Sequence, residues 1–177
     1  GLAAAATEAV FASIGYKGKV VHTQGALAHS GAQLRAKGFH RTAAKYPDIE
    51  VIDEQPADWD IAKAGALWDD LLVKHPQIDG AFIHNDDMAM AAAQALKRAG
   101  GGRKIPMASV DAQDAGIDGV LSGDLIVSAM NPAGRVHWLS FMIGYLAATG
   151  QPMSEVPETI VLDSPIVTPE NAAQFRY

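Results

Sequence analysis

Two kinds of segment alternate along the chain. Short runs rich in β-branched and apolar residues lie at Lys19–Thr23, Ile49–Ile52, Gly80–Ile83, Ile105–Val110 and Leu125–Ser128. Each has the length and composition of a buried strand. Between them, apolar positions recur at helical spacing. Ile61, Ala64, Trp68, Leu71 and Leu72 share one face of a predicted helix, and Met88, Ala91, Ala92, Ala95, Leu96 and Ala99 share one face of another. The ends of these helices are signalled locally. Asp86 is placed to cap the helix that runs to Arg98, Gly100-Gly101-Gly102 stops it, and His75-Pro76 closes the helix before it. Strand, helix, strand, repeated with short links, predicts an α/β fold: a Rossmann-like parallel sheet with helices on both faces.

The tail breaks this rhythm. Residues 132–149 read as one long helix that starts at Pro132 and ends at Gly150-Gln151-Pro152. It carries two apolar stripes, Val136, Leu139, Ile143 and Leu146 beside Trp138, Phe141, Met142 and Tyr145. A helix apolar nearly all round needs cover on more than one side. Thr159–Leu162 and Ile166–Thr168 follow as short strand candidates split by Ser164-Pro165.

Composition narrows the function classes. The chain has 177 residues, 49% of them hydrophobic and 19% charged, which suits a packed core and excludes wholesale disorder. No apolar run reaches the ~20 residues of a membrane span. The net charge of −6 and the scattered Lys and Arg argue against nucleic acid or an anionic membrane as partner. The absence of cysteine removes disulfides, thiolate metal sites and thiol catalysis. No signal peptide precedes Gly1, so the chain is expected to be a processed or truncated form.

In parallel α/β sheets, ligands bind beyond the carboxyl ends of the strands. The residues there are Gln24-Gly25 and the Ser30–Arg35 helix start, Gln55–Asp60, His84–Asp87, Asp111-Ala112-Gln113 and Met130-Asn131-Pro132. An aromatic, amides, a carboxylate and a cation converging in one place suit a polyhydroxylated ligand. Structural roles compete for several of these residues: Asn85 and Asp86 as turn and cap, Trp59 as a lid on the core, Asp111 as a cap, and Arg35 as a partner for a neighbouring carboxylate. Trp68 lies on its helix's apolar stripe and is read as core. Enzyme and cofactor signals are absent: no spaced His pair supports a metal at His84–Asp87, no phosphate loop leads into a helix, and no nucleophile elbow appears. No catalysis, cofactor or metal is expected.

The blocks Gly25–Phe39, Gln55-Pro56-Ala57-Asp58-Trp59-Asp60, Ile78–Ala89 with its Asn85-Asp86-Asp87-Met88-Ala89, Val110-Asp111, Gly123-Asp124-Leu125 and Asn131-Pro132 resemble one family. It is that of the periplasmic sugar-binding proteins of ABC transporters, in the ribose-binding-protein class with the type I periplasmic binding fold. The ligand-sensing core of LacI-type regulators shares this fold and is the alternative. The resemblance implies two Rossmann-like lobes that close on a sugar or polyol, which is then handed to an ABC permease in the periplasm without chemistry. It implies that Trp59 stacks on the ligand and that Asn85 and Asp111 bind hydroxyls. Gln33 falls where ribose-type proteins carry a ligand-binding Arg, Arg35 matches a second Arg, and Met130 replaces a usual Gln. These exchanges point away from ribose toward a less polar or deoxy sugar, or a polyol.

By the same resemblance most of the first lobe is missing, through genomic, proteolytic or deliberate truncation. Residues 1–131 would form the ligand-binding lobe, and 132–177 a return segment toward the absent one. The aromatic stripe of Trp138, Phe141, Met142 and Tyr145 would then be bare, and a homodimer through the tail is expected to cover it. A remnant that dimerises and binds no ligand is the further alternative.

Overall fold

The computed structural model describes residues 1–176. Its elements run α1 (Leu2–Ser13), β1 (Gly18–Gln24), α2 (Ser30–Ala43), β2 (Ile49–Pro56), α3 (Ile61–Lys74), β3 (Gly80–Ile83), α4 (Asp86–Ala99), β4 (Met107–Asp111), α5 (Asp114–Ser122), β5 (Val127–Met130), α6 (Ala133–Ala148), β6 (Ile166–Val167) and a 3₁₀ turn at Ala172–Phe175. The strands form a single sheet in the order β2-β1-β3-β4-β5-β6. Pairing is parallel from β2 to β5, and β6 runs antiparallel to β5.

The central strands are apolar on both sides because helices cover both faces. Alternate residues therefore feed two cores. Val21, Ala81, Ile83 and Met107 pack with Trp68 of α3, Met88 and Ala92 of α4 and Ile117 of α5. Val20, Phe82, Ala108 and Val127 pack with Val10 and Phe11 of α1 and Phe39 of α2.

Four expectations need correction. The fifth strand begins at Val127 rather than Leu125, since the Leu125 amide is bound to Gly119 O at the end of α5, where left-handed Gly123 caps the helix. The cap of α4 is Asn85, whose Oδ1 accepts the Met88 amide at 3.1 Å; Asp86 is the first helical residue and turns inward. Thr159–Leu162 is not a strand, having no ladder partner among the described residues, and Val161 is 87% exposed. Finally, the tail is not one return segment. Val167 and Ala172 are buried in the α3–α5 core, so residues 166–175 complete this lobe, while α6 and the stretch 149–165 after it hold no buried residue.

Candidate functional site

The carboxyl ends of β1 to β5 open onto a cleft of about 710 Å³, whose lining includes Arg35, Trp59, Asn85, Asp111 and Met130. Five of the six ligand residues expected from sequence therefore share one cavity. The sixth, Gln33, does not. It is exposed, and its amide donates to the Leu27 carbonyl at 3.0 Å. Residues 33 and 35 lie roughly 200° apart around an α-helix, so α2 can aim only one of them at the cleft.

Arg35 is held from three sides. Its Nη2 donates to Asp111 Oδ1 at 2.6 Å and its Nη1 to Oδ2 at 3.3 Å, a two-point contact with a carboxylate. Nη1 also donates to the His84 carbonyl, and the guanidinium carbon lies 5.4 Å from the centre of the Trp59 ring. Asn131 Nδ2 adds a third bond to Asp111 at 3.2 Å. The charges of Arg35 and Asp111 thus cancel locally while donors and an acceptor remain. Arg35 keeps Nε–H and one Nη2–H, Asp111 keeps lone-pair capacity on Oδ2, and Asn85 caps α4 through its oxygen and leaves its NH₂ uncommitted. Such a set suits neutral hydroxyls.

Backbone in sparsely populated regions presents the two outer groups. Asp58 and Trp59 have φ of 55° and 64°, and Asp111 and Ala112 have φ of 118° and 51°. Non-glycine residues rarely adopt such angles, and they cluster at binding sites when the surroundings over-determine them. At Trp59 the turn is fixed by Ala57, whose amide donates to Gln24 O at 2.8 Å, and by the Asp60 cap on Lys63 N, also at 2.8 Å. Gly25 makes room for the indole: a Cβ there would lie 2.2 Å from the Trp59 ring.

At Asp111 the support is Asp86, which is buried below the loop. Ser109 and Ser128 donate to its Oδ1, the latter at 2.6 Å, and the Gln113 amide donates to Oδ2 at 2.7 Å. Ser128 Oγ in turn accepts the Ala112 amide at 3.0 Å. Both residues after Asp111 are thus tied to one carboxylate. Burial, opposed by these hydrogen bonds, raises the Asp86 pKa to about 6.

Two polar lining residues lie outside the strand-end residues named from sequence. His29 caps α2 by accepting the Gly31 amide at 3.0 Å and meets Trp59 edge-on at 5.7 Å, and Arg135 rises from the start of α6. Only position, just before or after a strand-end motif, marks them. Asn131, which sequence places at the fifth strand end, braces Asp111. Behind the cleft, His22, His40 and Glu54 bring their ligand atoms within 4.8 Å of one another, a spacing that a metal ion can bridge. Here both histidines hydrogen-bond to Glu54, His22 Nδ1 lying 2.9 Å from Oε2 and His40 Nε2 3.3 Å from Oε1.

Comparison with known proteins gives a consistent neighbourhood. Residues 1–152 match the family model described as periplasmic binding protein domain. A xylitol-binding protein of Mycolicibacterium smegmatis is 39% identical over 118 residues, covering 66% of this chain and 34% of that protein. The ribose import binding protein of Escherichia coli is 32% identical over 126 residues, 71% of this chain and 40% of its own length. An ABC transporter solute-binding protein of Bacillus halodurans C-125, solved with myo-inositol, superposes with a TM-score of 0.90 at 24% identity over 99% of this chain and 60% of that one. This chain therefore spans less than two thirds of each of these proteins, and well under half of the two relatives matched by sequence.

Proposed function

Because the chain belongs to the periplasmic binding protein family, we propose that its cleft binds a neutral sugar or polyol for an ABC permease, in the periplasm and without chemical conversion. The observation that carries this reading is the Arg35–Asp111 pair facing Trp59 and Asn85 at the strand ends. It offers an aromatic plane, spare donors and a carboxylate acceptor with no net charge, which is what hydroxyl recognition needs. Met130, at the edge of the cleft, offers no hydrogen bond where a ribose-type site has an amide. A ligand with a methylene or deoxy position on that side, or an open-chain polyol, fits better than ribose.

One lobe supplies one wall, so affinity is expected to be weaker than in a two-walled cleft. We propose in addition that a second copy packs on the exposed Trp138, Phe141 and Tyr145 of α6 when this chain is alone.

A thermal-shift screen with xylitol, D-ribose, D-allose, myo-inositol, deoxy sugars and sugar phosphates tests the ligand class. At 100 times Kd a ligand adds about 2.7 kcal/mol to stability, which moves the melt by several degrees. The neutral compounds are expected to act and the phosphates not. Trp59→Ala and Asp111→Ala should abolish the shift. A shift unchanged in both variants would place the ligand elsewhere.

A further inference from the structure

One hydrogen-bond chain runs from the surface to the floor of the cleft, and chemistry fixes its direction. The Gly25 amide can only donate, and it donates to His84 Nδ1 at 3.0 Å. His84 is buried and neutral, its pKa pushed down to about 2 by desolvation, with the neighbouring His22 and the Arg35 guanidinium adding to the effect. Its single ring proton is therefore on Nε2, which faces His22 Nε2 at 2.9 Å. His22 must accept there, so its own proton is on Nδ1 and goes to Glu54 Oε2 at 2.9 Å. Burial also lowers the His22 pKa, against the pull of Glu54. Every link has one permitted direction, and all of them point toward the Glu54 carboxylate.

Strand register and ring stacking hold this line in place. On β1–β2 the register shifts after Val20, so that Ile52 is bypassed and His22 pairs directly with Glu54. Phe39 stacks on the His22 ring at 4.0 Å, with Phe82 at 5.5 Å. A metal held by His22 Nδ1 would move the His22 proton to Nε2, head to head with the Nε2–H of His84. The arrangement therefore favours a relay over an ion site.

We infer that Glu54, His22 and His84 are positioning residues whose one-way hydrogen bonds set the Gly25–Trp59 floor of the cleft and, through the His84 backbone, Arg35. None of the three lines the cleft. Yet Gly25 lies against the Trp59 indole, and the His84 carbonyl receives Arg35. The inference rests on the cleft being the ligand site proposed above.

The test uses histidine ring ¹⁵N NMR, Gly25 amide hydrogen exchange and ligand affinity on the same chain. In the wild type, His84 is expected as the Nε2–H tautomer and His22 as Nδ1–H. Glu54→Gln, at a surface position, should let His22 sample both tautomers and speed Gly25 exchange about tenfold. Ala81 exchange and the melting temperature should stay unchanged, which separates positioning from a general structural role. Affinity for whichever of xylitol, D-ribose or myo-inositol shifts the wild-type melt should fall about five- to tenfold, with partial rescue by Glu54→Asp. A wild-type His84 protonated on Nδ1 overturns the relay, as does unchanged Gly25 exchange in Glu54→Gln. Unchanged affinity in that variant overturns its positioning role. If no compound binds the wild type, the ligand reading fails, while tautomers and Gly25 exchange still decide the relay.

Discussion

Helices α4 and α6 are of similar length and both predominantly apolar, yet they relate to the molecule in opposite ways. Over its 14 residues α4 buries Met88, Ala89, Ala92, Ala93 and Ala95 together with Asp86, and it is capped by the Asn85 side chain. Its first turn is acidic and its last turn carries Lys97 and Arg98, so each end suits the helix dipole. Over its 16 residues α6 has no fully buried residue, only Leu139, Met142, Ile143 and Leu146 half-buried, and it has no side-chain cap. The difference lies in the kind of apolar residue. Alanines let α4 approach α3 and the sheet closely, so that small side chains fill the space. Trp138, Phe141, Leu139 and Tyr145 project bulk that makes sense only against a second surface. Apolar content alone thus does not say which helix belongs to a core; side-chain size and capping do.

The sharpest way to break the comparison is to truncate one tryptophan on each side of it. Trp68 on α3 is fully buried against α4, and its indole N–H donates to Thr23 Oγ1 at 3.1 Å. Trp68→Ala should cost about 3–5 kcal/mol in urea unfolding. Trp138, 64% exposed, should cost under about 0.5 kcal/mol when replaced by Ala at low protein concentration. Equal costs would mean that α6 is packed on the lobe after all.

The next effect concerns Asp86, where α4 joins core to cleft. Its folded-state pKa of about 6 lies above the ordinary aspartate value of 3.8. The native state therefore holds this proton more tightly than the unfolded chain does. The stabilisation this provides is complete below about pH 3.8 and is lost as the pH rises through about 6. Asp53 runs the other way. Burial alone would raise its pKa, but hydrogen bonds from Lys74, His75 and Gln55 hold it at about 2, so its contribution is nearly constant above about pH 4.5 and fades only in strong acid. Between about pH 4.5 and 7.5 the wild type should lose on the order of 2 kcal/mol that Asp86→Asn does not lose. Denaturation curves of the two proteins across that window check this, and parallel pH profiles would show that Asp86 stays ionised throughout.

Much of this architecture is legible in the amino-acid sequence. Short β-rich runs and period-3.6 patterns place β1 to β4, α3 and α4, and the strand-end rule gathers Arg35, Trp59, Asn85, Asp111 and Met130 into one cleft. What escapes has physical reasons. Leu125 reads as strand because it opens the apolar run Leu125–Ser128, but its amide is spent on the end of α5. Asn85 and Asp86 are equally good caps by residue type, and only the inward ring of Ser109, Ser128 and the Gln113 amide decides between them. Gln33 is favoured by the match of motifs, although helical phase sends it away from Arg35. His22 and His84 are invisible as a pair because nothing in a sequence says that two polar residues 62 positions apart will share a hydrogen bond. The left-handed turns at Trp59 and Asp111 are equally hidden, since they fall on residues that rarely adopt them.

The smallest effect on folding is also the one that bears most directly on α6. An isolated helix of this length is marginal in water, so α6 needs a surface to hold it. The proposed second copy would offer one at the same stripe, since a twofold axis would set Trp138, Phe141 and Tyr145 of each copy against the other's. Sedimentation of this chain from about 10 μM to 1 mM should then show a monomer giving way to a dimer, with helical ellipticity rising in step. Buried aromatic anchors carry most of the energy of such contacts. Trp138→Ala with Phe141→Ala should therefore weaken the dimer on the order of a hundredfold while leaving the urea midpoint at low concentration unchanged. A wild-type chain that stays monomeric at about 1 mM with α6 fully helical would show that the helix needs no partner, and the contrast with α4 would reduce to exposure alone.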